Sequence, residues 1–269
     1  MIYEWMQYSF MINALLACLI VAPIFAILGT LVINNKMAFY TDVIGHSTLT
    51  GIALGVLLGI SDPIKSMAVF LVLLAIGINY FKTKTKASAD TVLGVFFAFA
   101  VALGIVILSR NGGFAKYTTY LIGDILTVSR ESLVVLVVLL IMTIIYWLIA
   151  ANPLYLMSIN KSLAKTRKIN VFWLETSFTI LLSLIVAFSI KLVGILIINS
   201  LIILPAAAAR VLAKDIKSYT VYSIGFSLIS SILGIISSFY LGTASGATIV
   251  LFAAAIYAIS VLYKRYLGK

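Results

Sequence analysis

From about residue 9 to the C-terminus the chain is a succession of apolar runs long enough to cross a bilayer, broken only by short polar connections. No intervening segment is long enough to fold alone in water. Hydrocarbon offers no partner to a backbone N–H or C=O, so each run must satisfy its own backbone as a helix. The expected fold is therefore all-α, a polytopic transmembrane helical bundle forming a single domain over residues 1–269. Composition agrees: 63% of residues are hydrophobic and 10% charged, a balance that excludes a water-exposed surface. Apolar blocks fall near residues 9–33, 40–60, 63–81, 91–109, 131–151, 171–190, 192–209, 218–240 and 247–263, giving nine spans, or eight if one is re-entrant.

The net charge of +11 would suggest nucleic acid in a soluble protein. Here the cations sit in short runs between spans, so they set orientation and no nucleic-acid partner is expected. Lys82, Lys84 and Lys86 fall on the same side as Lys161, Lys165, Arg167 and Lys168, with Arg210, Lys214, Lys217, Lys264, Arg265 and Lys269. That side is expected to be cytoplasmic, which places the N-terminus outside. The loop from Arg110 to Glu131 fits least well, and its apolar piece "TYLIGDILTV" is short enough to dip partly into the membrane. Cys18 is the sole cysteine, so neither an intrachain disulfide nor a thiolate metal cluster can form. The N-terminus "MIYEWMQYSF" lacks the basic residues of a secretory signal, and the first apolar run is expected to be a retained span.

The second span holds the chemistry. "TDVIGHSTLTG", residues 41–51, contains the chain's single histidine, four residues after an aspartate. At that spacing Asp42 and His46 share a helix face, with Gly45 between them and Thr50 continuing it. The opposite side is small, Ser47, Gly51, Gly55 and Gly59 recurring every fourth residue for close helix approach. Ionisable groups in a bilayer cost several kcal/mol unless paired or facing an aqueous path, so this face should look into the protein. Carboxylate oxygen and imidazole nitrogen suit a divalent ion such as zinc or manganese, and the lack of nearby thiolates disfavours copper(I). Two ligands make an incomplete site, as a site that must release its ion has to be. The alternative is an Asp–His hydrogen bond that only satisfies two polar groups.

Enzyme motifs are absent. One histidine cannot make H-E-x-x-H; "GTASG" and "LIGD" miss the serine and aspartyl intramembrane protease patterns by a residue each. No phosphate-binding loop occurs, so energy from ATP must come from a partner. "VGILIINSLIILPAAAAR" reads as a closely packed span, with Asn199 and Ser200 as helix-to-helix contacts, Pro205 permitting a kink and Arg210 as a cationic stop. The longest polar connection runs from Asn152 to Asn170. Pro153 should end the preceding helix, and the residues after it read either as a short amphipathic helix at the membrane surface or as an ordinary basic loop.

Four stretches, "MAFYTDVIGHSTLTGIALG", "ADTVLGVFFAFAVALGIVILS", "YLIGDILTVSR" and "VGILIINSLIILPAAAAR", resemble in order and spacing the membrane permeases of bacterial ABC importers for zinc and manganese. The resemblance covers essentially the whole chain. It implies a multi-pass subunit of the bacterial cytoplasmic membrane that works with a second permease chain as a homodimer, with ABC ATPase subunits and with an extracytoplasmic metal-binding protein. It implies no permanently bound cofactor: Zn2+ or Mn2+ is cargo, with zinc favoured by the wording "IINSLIILPAAAAR", and ATP is bound by the partner. The family's intramembrane metal pair falls on Asp42 and His46. The cytoplasmic segment of about residues 153–170 resembles the one that couples to the ATPase, with Ser158, Asn160, Leu163, Ala164 and Lys165 in the coupling region and Lys168 standing where a glycine is common. A membrane scaffold in which the Asp–His pair is only structural is the rival from another class.

Overall fold

A computed structural model describes residues 4–60, 62–110 and 123–266; residues 111–122, with Lys116 and the start of "TYLIGDILTV", lie outside the described residues. The described residues contain helices and no strand. The helices are α1 (Ser9–Asn34), α2 (Ala38–Leu57), α3 (Pro63–Lys84), α4 (Ala89–Arg110), α5 (Arg130–Ile159), α6 (Lys161–Thr166), α7 (Val171–Val193), α8 (Ile195–Leu212), α9 (Ile216–Leu241) and α10 (Ser245–Tyr266). Two 3-10 turns, Glu4–Gln7 and Ile125–Thr127, accompany them.

Eight of these helices are long and apolar enough to cross a membrane. The ninth long helix, α2, is not among the eight although it runs 20 residues. Thr41, Asp42, His46, Ser47, Thr48 and Thr50 lower its hydropathy, so the helix with the candidate site is the long one that falls outside the candidate spans. The expected boundaries hold to within a few residues with one exception. Pro153 does not end a helix: α5 continues through it to Ile159. A proline inside a helix removes one hydrogen bond, a loss that bundled membrane helices tolerate.

The chain divides into two compact units, each assembled from separate stretches of sequence. One comprises residues 1–36, 124–151 and 192–269. Within it α1 packs against α8 and α9, and α8, α9 and α10 pack on one another. Close approach is visible at Gly29, where a Cβ would lie 2.0 Å from the carbonyl oxygen of Ile202, and at Gly234, where it would lie 2.5 Å from the Cα of Ile249. The Ser223 and Ser227 hydroxyls of α9 donate to the carbonyls of Ala26 and Ala22 on α1, both at 3.1 Å. Arg210 donates to the Ile33 carbonyl at the end of α1. The first turn of α9 is held by a capping box, the Asp215 carboxylate accepting from the Ser218 N–H at 2.7 Å. That backbone N–H holds the Asp215 carboxyl below the usual aspartate range. The cap therefore contributes fully above the ordinary aspartate pKa and is lost as pH falls through the lower folded value.

The second unit comprises residues 37–123 and 152–191. Here α2 packs against both α3 and α4. The small residues expected on α2 do face a neighbour: a Cβ at Gly51 would lie 2.8 Å from the Cα of Met67, and one at Gly55 2.3 Å from the Ser66 hydroxyl. Gly59 departs from that expectation. It lies beyond α2, exposed, with φ +70°, a backbone setting that suits glycine at a helix end. At the four places where the chain passes between the units stand Lys36 (φ 57°), Gly123 (φ 55°), Pro153 within two residues of the third, and Gly194 (φ 85°) within three of the fourth.

A methyl group at Gly29 has a backbone oxygen in its way, and overpacking of this kind costs ~1–3 kcal/mol. Gly29→Ala should lower the melting temperature of the detergent-purified protein. Gly94→Ala, where nothing lies within 4 Å, should leave it unchanged or raise it.

Candidate functional site

Asp42 and His46 lie one turn apart near the start of α2, as their spacing requires. The carboxylate is half-buried and the imidazole exposed, so this turn of the helix is left open by the chain's own helices. The imidazole ring meets Phe97 of α4 edge-on, centroids 5.8 Å apart at 86°. Phe97 also meets Phe39, one turn before Asp42, at 6.2 Å. The open face thus runs Phe39, Asp42, His46.

It does not continue to Thr50. That hydroxyl is buried against α4 and donates to the Ala100 carbonyl. Gly104 makes room for it, since a Cβ there would sit 2.5 Å from the Thr50 oxygen. Gly45 is buried too, its carbonyl accepting from the Thr48 hydroxyl at 2.5 Å. Four residues of rotation past His46 already bring α2 under α4, which limits the polar face to a single turn.

Among the described residues no three His, Cys, Asp or Glu side chains come together as a metal site. Asp42 and His46 therefore offer one carboxylate and one imidazole, and further ligands have to come from outside that pair.

The cytoplasm-facing segment expected near 153–170 takes definite form. Ser158 closes α5, its hydroxyl donating to the Tyr155 carbonyl at 2.7 Å. Asn160 then caps α6, its side-chain oxygen accepting from the Ser162 and Leu163 N–H groups at 2.8 and 3.1 Å. Leu163 and Lys165 point outward, whereas Ala164 is wholly buried and anchors the short helix. Ile159, 80% exposed, adds a second apolar side chain beside Leu163 on the outer surface of this segment. Lys168 has φ 60°, and the Ile169 N–H returns to the Ala164 carbonyl at 3.1 Å, a left-handed helix end at the place where a glycine was expected from the resemblance. Of the two sequence readings, a short helix and an irregular loop, the helix is the one observed.

Glu175 escaped the sequence reading. It stands in the second turn of α7, 8% exposed, and binds Lys82 of α3 and, at 3.8 Å, Lys161 of α6. Beside it Asn79 of α3 donates to the hydroxyls of Thr179 at 2.7 Å and Thr176 at 3.5 Å. An acidic residue inside an otherwise apolar run, "VFWLETSFTILLSL", was the available signal.

Eight helices long and apolar enough to cross a membrane, together with a half-buried carboxylate and an exposed imidazole one turn apart on α2, define a polytopic membrane protein. Comparison with known proteins makes the class particular. Residues 7–264 match the ABC 3 transport family, to which the chain belongs. It is thus a multi-pass protein of the cytoplasmic membrane. It is 34% identical to the high-affinity zinc uptake system membrane protein ZnuB of Haemophilus influenzae, over 96% of this chain and 99% of that one. It is 29% identical to the manganese transport system membrane protein MntC of Listeria monocytogenes, over 96% and 92%. Among solved structures, PsaBC from Streptococcus pneumoniae in complex with Fab superposes with a TM-score of 0.84 at 29% identity, covering 100% of this chain and 99% of that chain.

The left-handed backbone at Lys168 costs a non-glycine residue about 1 kcal/mol. Lys168→Gly should slow amide hydrogen exchange across residues 161–169, by up to about fivefold.

Proposed function

We propose that the chain is the permease subunit of an ATP-driven importer for a divalent transition metal, with zinc as cargo and with Asp42 and His46 as ligands on its path. The observation that carries this reading is the open turn of α2: an exposed imidazole and a half-buried carboxylate on a helix of a membrane bundle. Left to lipid, that face would cost several kcal/mol, so a partner surface or water has to meet it. A second identical chain, apposed by a two-fold axis, would bring two carboxylates and two imidazoles together, a donor set that suits zinc. Either chain moving away would leave two ligands and release the ion.

Zinc is favoured by the relative at 34% identity over nearly the full length of both chains. Manganese is the second reading, supported by the Listeria relative, because carboxylate and imidazole serve both ions. ATP hydrolysis belongs to a separate ATPase subunit in this scheme, and the end of α5 with α6 is the contact, presenting Ile159, Leu163 and Lys165 outward with Ser158 and Asn160 fixing the junction. An extracytoplasmic binding protein would deliver the ion from the other side. Acid should weaken binding, since a protonated imidazole has no lone pair and carries repelling charge.

The test is uptake of radioactive zinc, with manganese as competitor, into proteoliposomes holding this chain with its ATPase and binding protein. ATP-dependent zinc entry should fall at least tenfold in His46→Ala and in Asp42→Asn while the complex stays assembled, a loss typical of removing a metal ligand or its support. Unchanged uptake in both variants would return the pair to a structural role. Uptake that manganese outcompetes at equal concentration would reassign the cargo.

A further inference from the structure

We propose that Glu175 is a positioning residue for transport: its carboxylate fastens the short helix α6 to α3 and α7, and through them to the turn of α2 that carries Asp42 and His46. The proposal rests on the permease reading given above, and it assigns the route by which motion at the cytoplasmic segment reaches the metal pair. Every contact on that route lies within one compact unit.

The route starts at Lys161, the first residue of α6, whose ammonium lies 3.8 Å from one Glu175 oxygen. The other oxygen accepts from Lys82 near the end of α3. One carboxylate thus holds two elements that are distant in sequence, and it is buried while Lys161 is largely exposed. Removing Lys82 would leave the buried carboxylate with only the longer contact to Lys161, and removing Lys161 would leave α6 without its tie to α7.

From Glu175 a polar strip continues along α7. Thr176 and Thr179 accept from Asn79, which stands one turn before Lys82 on α3. The Ser183 hydroxyl donates to the Thr179 carbonyl at 2.8 Å. Beside Ser183 and Thr179 lies the wholly buried hydroxyl of Tyr40, two residues before Asp42 on α2. A second grip exists on the same helix, where α3 presses Met67 and Ser66 against Gly51 and Gly55 of α2. With backbones this close, α3 cannot shift with α6 without moving α2. An ordinary ion pair at a helix end would need neither burial nor two cationic partners from different helices.

The experiment uses the complete complex of permease, ATPase and binding protein in liposomes, comparing wild type with Glu175→Gln, Glu175→Asp and the exchanged pair Lys82→Glu with Glu175→Lys. Glu175→Gln should cut metal-stimulated ATP hydrolysis and uptake by roughly tenfold while metal affinity changes less than about twofold, and the other two variants should recover part of the coupling. Stimulated hydrolysis unchanged in Glu175→Gln would overturn the proposal. So would loss of metal affinity in step with loss of coupling, which marks general damage to the fold. A readout independent of transport accompanies these: spin labels at Lys84→Cys and Lys165→Cys, in a Cys18→Ala background, should give a narrow distance distribution that Glu175→Gln broadens. An unbroadened distribution overturns the tether itself. Broadening beside a wild type that shows no metal-driven uptake overturns the proposal through its functional premise instead.

Discussion

Inside the hydrocarbon a polar group either finds a partner in the protein or costs several kcal/mol, and the placement of many buried hydroxyls among the described residues follows from that. Thr30, Thr48, Thr143 and Ser183 donate to carbonyls three or four residues earlier on their own helices. Where helices approach most closely the donors cross instead: Ser223 and Ser227 reach α1, and Thr50 reaches α4. The Thr50 crossing depends on a missing side chain, and so does the approach of α8 to α1. Gly104 is what lets Thr50 lie against α4, and Gly29 is what lets α8 lie against α1. Small residues and hydroxyls thus act together, the former setting the distance and the latter fixing the register, as expected where lipid gives helices no hydrophobic reason to associate.

Two acidic residues test the rule from opposite sides. Glu175 is buried and has a cation from each of two other elements, so the protein completes its environment internally. Asp42, half-buried on α2 with His46 exposed beside it, belongs to a turn that the chain's own helices leave uncovered. A carboxylate enclosed with two lysines is an anchor, since its charge is already spent. Asp42 differs in that the imidazole one turn along its helix is exposed, whereas the cations beside Glu175 come from other elements of its own unit. The polar residues of that turn are also why α2 is the long helix that falls short on hydropathy.

Much of this was legible in the sequence. The span boundaries were, because hydropathy reports the cost of moving each side chain from water into lipid; so was the shared face of Asp42 and His46, because a spacing of four is a property of the helix. The packing face Ser47, Gly51, Gly55 was legible for the same reason. What failed was the extent of each feature. Thr50 lies on the expected line but turns under α4, since where a neighbour crosses a helix is not encoded by that helix alone. Pro153 looked like a terminator and is not one, because a bundle can absorb a lost hydrogen bond. Glu175 was visible as a letter but not as a partner: Lys82 and Lys161 lie 93 and 14 positions away, and only the fold brings them together.

The six residues of α6 show how far local sequence can go and where tertiary structure takes over. A helix of that length does not persist in water, because nucleation fixes several residues for a single hydrogen bond. The sequence supplies a cap at Asn160 but ends the helix with Lys168 in a backbone setting that opposes its side chain. What makes up the difference is burial of Ala164 and the hold of Glu175 on Lys161. The helix therefore exists because of the unit it is fastened to, and a body docking on Leu163 and Ile159 from outside would press on that unit and not on a free loop. An element too weak to stand alone is well suited to passing on a displacement, since it has no independent fold in which to absorb one.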